Sequence, residues 1–71
     1  MSHDEAEAKL VRMANQIATF FASQPGHDQA ERVACHLRDF WDPAMRARLA
    51  GADPAPLHPL VAEALRLPTL A

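Results

Sequence analysis

Apolar residues recur at helical spacing in four separate blocks of this chain. In the first, Ala6, Leu10, Met13, Ala14, Ile17, Phe20 and Phe21 fall within an arc of about 120° when each residue advances a helix by about 100°. Lys9 sits at the edge of that arc, and Arg12, Asn15, Thr19 and Ser23 face the other way. The pattern predicts a helix over about residues 4–23. Ser2 with Glu5, or Asp4 alone, is placed to cap its start, and Pro25-Gly26 ends it in a turn.

The second block predicts a helix over about residues 28–41. Asp28 and Glu31 have capping-box spacing, with Asp28 at the N-cap. Ala30, Val33, Ala34, Leu37, Phe40 and Trp41 share one face; Glu31, Arg32, Cys35, Arg38 and Asp39 share the opposite one. A short turn joins the two helices, so they should pack antiparallel as a hairpin. Asp42-Pro43 then breaks the chain, because proline drives the residue before it out of the α region. Pro43 suits the first position of a third, short helix over 43–50, with Asp42 as its cap and Gly51 as its C′ residue. Residues 51–58 carry Pro54 and Pro56 and read as a stiff, extended connector. A last helix is predicted over 59–67, started by Pro59, stapled by Leu57 and ended by Pro68. Val61 and Leu65 lie on one side of it, with Leu60, Ala64 and Leu67 about 100–140° round. So wide an apolar surface exceeds what a chain of this length covers by itself, which makes Leu60 and Leu67 candidates for contact with a partner.

Composition reinforces the fold class. The β-branched set is only Val11, Val33, Val61, Ile17, Thr19 and Thr69, and no window alternates apolar and polar positions over six residues. The expectation is one all-α domain: an antiparallel hairpin, a short third helix, and a C-terminal helix reached through a proline-rich strap. The 71 residues leave no room for a dinucleotide fold, a barrel or a self-contained catalytic cleft. One cysteine makes no internal disulfide. No run of about 18 apolar residues exists to span a membrane, and the acidic Met1-Ser2-His3-Asp4-Glu5 start does not resemble a signal peptide. The expected setting is cytoplasmic.

Charge and spacing narrow the chemistry. Nine acidic residues against seven basic ones give a net charge of −2, no footprint for nucleic acid or anionic lipid. Arg38, Arg46 and Arg48 form at most a local basic patch. His3, His27, His36, His58 and Cys35 match no chelating pattern. Cys35 and His36 point about 100° apart on their helix, so they converge on neither a metal nor a catalytic pair. There is no glycine-rich phosphate loop. No catalytic, cofactor-binding or metal-binding residue is assigned. What remains is the bend after the second helix. There Trp41, Asp42, Pro43, Met45 and Arg46 combine residue types enriched in interface cores, and they are the expected docking residues. Phe40 is expected in the core, and Trp41 is placed to serve both core and partner.

The residues Lys9 to Ile17 (K-L-V-R-M-A-N-Q-I) lead to Phe20-Phe21. His36-Leu37, Phe40-Trp41-Asp42-Pro43 and Met45-Arg46 follow, then Leu57 to Val61 and Ala64-Leu65. Over residues 9–67 this resembles the delta subunit of NAD-dependent formate dehydrogenase. The resemblance implies a non-catalytic accessory chain of a bacterial complex. In that complex an alpha subunit carries a molybdenum-pterin centre and iron–sulfur clusters. Beta and gamma subunits carry FMN, further clusters and the NAD site. It implies docking, chiefly on the alpha subunit, in support of assembly, cofactor maturation or stability, with no cofactor in this chain. Two rivals stay open on the sequence: a transient maturation chaperone, and an unrelated helical adaptor or DNA-binding module.

Overall fold

A computed structural model describes the backbone of residues 2–70 and the side chains of residues 5–70. It contains four helices: α1 (Ser2–Ala22), α2 (Gln29–Phe40), α3 (Pro43–Ala50) and α4 (Pro59–Arg66). No strand occurs among the described residues, and the all-α expectation holds. The proposed capping by Ser2 or Asp4 and the placing of His3 rest on side chains outside the described residues.

The helix boundaries follow from local chemistry. α1 ends in a turn where Ser23 and Gln24 donate back to the carbonyls of Phe20 and Phe21. Gly26 follows with φ 118°, the positive φ that only glycine adopts freely. A β-carbon there would stand 3.2 Å from a carboxylate oxygen of Asp28. The Gln29 side chain closes the turn, its amide donating to the carbonyls of Gln24 and Gly26 at 3.1 and 2.8 Å. The expected capping box does not form. Asp28 has φ −113° and ψ 27° rather than the extended conformation of a capping residue, so its carboxylate turns away to Arg32 at 3.1 Å. Asp42 has the same side chain on an extended backbone, φ −75° and ψ 162°. It accepts from the Met45 N–H at 2.8 Å, and α3 starts at Pro43 as expected. Gly51 is a correction too: it ends α3 with φ −88° and is not left-handed.

The connector is not extended. Asp53 accepts from the Ala55 N–H at 3.0 Å, and the Leu57 N–H donates to Pro54, folding residues 51–58 into consecutive turns. Asn15 of α1 holds this coil. Its side-chain amide donates to the Pro56 carbonyl at 2.9 Å and accepts from the His58 N–H at 2.8 Å. Asn15, expected to face away from the core, thus acts as a substitute backbone partner for the connector. His58 then caps α4, its Nδ1 accepting from the Leu60 N–H at 3.0 Å.

α2 lies at the centre, packed on α1 and on α4, while α1 also touches α3 and α4. The first half of α1 shares a groove with the start of α3, just beyond the end of α2, so the hairpin is antiparallel. The core comprises Val11, Ala14, Ala18, Ala30, Val33, Ala34, Leu37, Trp41, Leu49, Ala52, Val61 and Ala64. Six of these twelve are alanine, which lets the helix backbones approach closely and leaves little volume for large side chains. On α1 the packed face is turned by roughly 60–70° from the centre of the expected arc. Val11 and Ala18 enter the core, and Phe20 does not.

Two further expectations are corrected. Phe40 is 74% exposed, against the expected core position, while Trp41 at 6% takes the core half of its expected double role and leaves little surface for a partner. Trp41 is the C-cap of α2, with φ −99° and ψ 139°. Its N–H still donates to the Leu37 carbonyl at 3.0 Å, so the helical step carries through to Trp41. That step sets the indole about 40° from Leu37, inside the arc of Ala30, Ala34 and Leu37, while Phe40 falls at the outer edge of that arc. The surplus apolar surface is also not on α4. Leu57, Leu60, Leu65, Leu67 and Leu70 are all half-buried against the core.

Candidate interaction surface

The large apolar side chains left exposed among the described residues are Met13 (36%), Phe20 (60%) and Phe40 (74%). Met13 and Phe20 share one edge of α1, and Phe40 joins Phe20 through the rings of Phe21 and His36 along the seam between α1 and α2. α1 supplies Met13, Ile17 and Phe20 at the i, i+4, i+7 spacing of one helical stripe. α2 supplies His36 and Phe40, also four apart. The rings form a chain: Phe20 to Phe21 at 5.2 Å, edge to face; Phe21 to His36 at 6.2 Å; His36 to Phe40 at 4.7 Å. A shallow cleft lined by Gln16, Ile17, Phe20, Phe21 and His36 carries no carboxylate, lysine or arginine. Further along the seam, a groove of about 470 Å³ opens between Ala6, Lys9, Leu10 and Met13 of α1 and Asp42, Ala44, Met45 and Arg48. Contiguous apolar surface of this kind marks contact sites far more than scattered single residues do.

The residues expected at the bend are not brought together. Asp42 and Met45 line the seam groove. Pro43 and Arg46 line a different one, with Arg38, Ala47, Ala50, Leu65, Thr69 and Leu70. Arg46 is half-buried and reaches the Arg38 carbonyl at 3.4 Å, so it joins α3 to the end of α2. Trp41 is enclosed in the core and presents little surface of its own. Leu60 and Leu67 are half-buried against the core. Phe20 and Phe40, by contrast, fall on the expected core faces in the sequence pattern yet are exposed. The signal that marks them is joint, on two helices, and no single-helix pattern contains it.

The polar face of α2 holds a second cluster. The Glu31 carboxylate accepts from the Thr69 hydroxyl and from the Cys35 thiol, the latter at 3.3 Å. The Thr69 bond, followed by that of Cys35, holds the Glu31 carboxyl below the usual glutamate range. The same carboxylate pushes the Cys35 thiol up, which disfavours the reactive thiolate. This cluster clasps the C-terminal turn onto α2. Among the described residues no three His, Cys, Asp or Glu side chains gather around a common point that would hold an ion. No helix is long and apolar enough to cross a membrane.

A model of the family described as NADH-dependent formate dehydrogenase delta subunit FdsD matches residues 9–65. No curated protein and no solved structure matches the chain.

Proposed function

The chain belongs to the FdsD family of NADH-dependent formate dehydrogenase delta subunits, and from that premise we propose that it is a non-catalytic accessory subunit. It docks on the larger subunits of the complex, chiefly the alpha subunit, and supports assembly, cofactor maturation or stability. One observation carries this reading: the exposed large apolar side chains Met13, Phe20 and Phe40 lie along a single seam in a chain whose family is a subunit of a larger enzyme. The described residues offer no converging ligand set. In this proposal the molybdenum-pterin, iron–sulfur, FMN and NAD sites belong to the other subunits.

Co-expression of the whole complex with an affinity tag on this chain tests it. The expected result is a stoichiometric chain in the active enzyme, and a lower yield of assembled enzyme when the chain is omitted. Assembly and activity at full level without it, and no co-purification, would contradict the proposal. A chain needed for activity but lost on purification would make it a transient maturation chaperone instead.

A further inference from the structure

The seam has a length, a shape and a charge pattern that together specify what fills it. From Ala6 to Phe20 the α1 stripe runs about 21 Å at a rise of 1.5 Å per residue, close to four helical turns. A seam between two packed antiparallel helices is the position a further helix takes in a bundle, with side chains at i, i+3, i+4 and i+7 filling the gap. The charge is uneven along it. At the Ala6 end, Lys9 and Arg48 line the groove, and among the described lining residues the one carboxylate, Asp42, accepts from the Met45 N–H. At the Phe20 end the lining is aromatic and uncharged apart from the imidazole of His36.

We infer that the seam receives an amphipathic helix of another subunit of the complex. That helix is apolar along one face for about four turns and acidic where it lies over Lys9 and Arg48. The inference rests on the docking reading above and specifies its contact. A second copy of this chain is a poorer occupant. Packed two-fold along α1, it would set Lys9 and Arg48 of each copy against the uncharged aromatic end of the other, with no carboxylate to meet them.

The test uses the complete co-expressed complex. A photo-reactive benzoylphenylalanine replaces Phe20 or Phe40 in separate preparations, with the exposed Glu63 position on α4 as the control site. Cross-links from positions 20 and 40 should converge on one helical segment of another subunit, at residues three, four or seven apart, and position 63 should not reach that segment. The Lys9→Glu, Arg48→Glu double variant should keep its helical circular dichroism and be retained on the complex at least tenfold less. Exchanging the facing acidic residue of the mapped segment for lysine should restore it. Cross-links to a second copy, to a loop or to a strand would overturn the inference, as would normal retention of the charge-reversed chain. Stoichiometric retention with no cross-link from either phenylalanine would overturn it while leaving the docking reading intact. Failure of the unmodified chain to be retained would remove both.

Discussion

The two edges of α1 divide its apolar residues by size. On one edge Val11, Ala14 and Ala18 are buried against α2, α4 and the connector, and Asn15 holds the connector in place. On the other edge Met13 and Phe20 stand in water. A chain selected only to fold alone would reverse this, because burying a phenylalanine fully is worth about 1.5–3 kcal/mol. Total stability for this length is only about 4–10 kcal/mol at roughly 0.05–0.15 kcal/mol per residue. Alanines inside with Phe20 and Phe40 outside describe a core closed tightly around small residues, and an apolar edge left uncovered.

That contrast is sharpest where buried and exposed residues alternate on one helix. Leu37 is fully buried and Phe40, one turn on, is 74% exposed. Leu37→Ala should destabilise the isolated chain by about 2–5 kcal/mol, enough to unfold much of it. Phe40→Ala should change stability by no more than about 0.5 kcal/mol. Urea unfolding followed by circular dichroism measures both, and equal losses would erase the distinction between the edges.

Asn15 tests the packed edge by its polar contacts. Asn15→Ala removes both bonds to the connector and leaves the His58 N–H without its partner. The expected loss is about 1–3 kcal/mol, with faster amide exchange at His58. Unchanged exchange there would mean that the connector holds itself. A smaller effect separates two aspartates of opposite geometry. Asp42→Ala should destabilise by about 0.5–2 kcal/mol through loss of the α3 cap. Asp28→Ala should be close to neutral, since its half-exposed pair with Arg32 is the kind worth little.

The smallest effect is the pH dependence of the clasp at Glu31. A carboxyl held below its unfolded range contributes stability at neutral pH that disappears as pH falls through its lowered value, below about 4.3. The raised Cys35 thiol works at the other end. Its contribution is present below the unfolded thiol range near 8.5 and is lost as pH rises through the raised value. The clasp at Glu31 is therefore complete between those limits. Thr69→Ala, which removes the leading cause of the Glu31 shift, should weaken the acid limb. An unchanged acid limb in that variant would dissociate the C-terminal turn from Glu31.

What was legible in the sequence is what short-range chemistry decides. Pro43 behind Asp42 marks the start of α3 without reference to the rest of the fold, and the four helices emerge within a few residues of the expected bounds. The unread part depends on where distant segments land. Which edge of the α1 stripe is packed is set by α4 and the connector, some forty residues away, through Asn15. Phe40 lies at the edge of the buried arc of α2 and Trp41 within it, and which edge is covered depends on the helices packed there, not on α2 alone. Glu31 belongs to the C-terminal turn through Thr69, a link with no local signal. The aromatic seam has no local signal for the same reason: its rings come from two helices, and each helix alone presents them as ordinary core residues.

Side-chain footprinting of the free chain against the assembled complex reads directly whether another subunit covers the aromatic edge. Brief hydroxyl-radical labelling, read by mass spectrometry, reports the solvent exposure of Met13, Phe20 and Phe40 individually. The prediction is strong labelling of all three in the free chain and several-fold protection of each in the complex, with Leu37 poorly labelled in both. Met13, Phe20 and Phe40 labelled as heavily in the complex as in the free chain would contradict it.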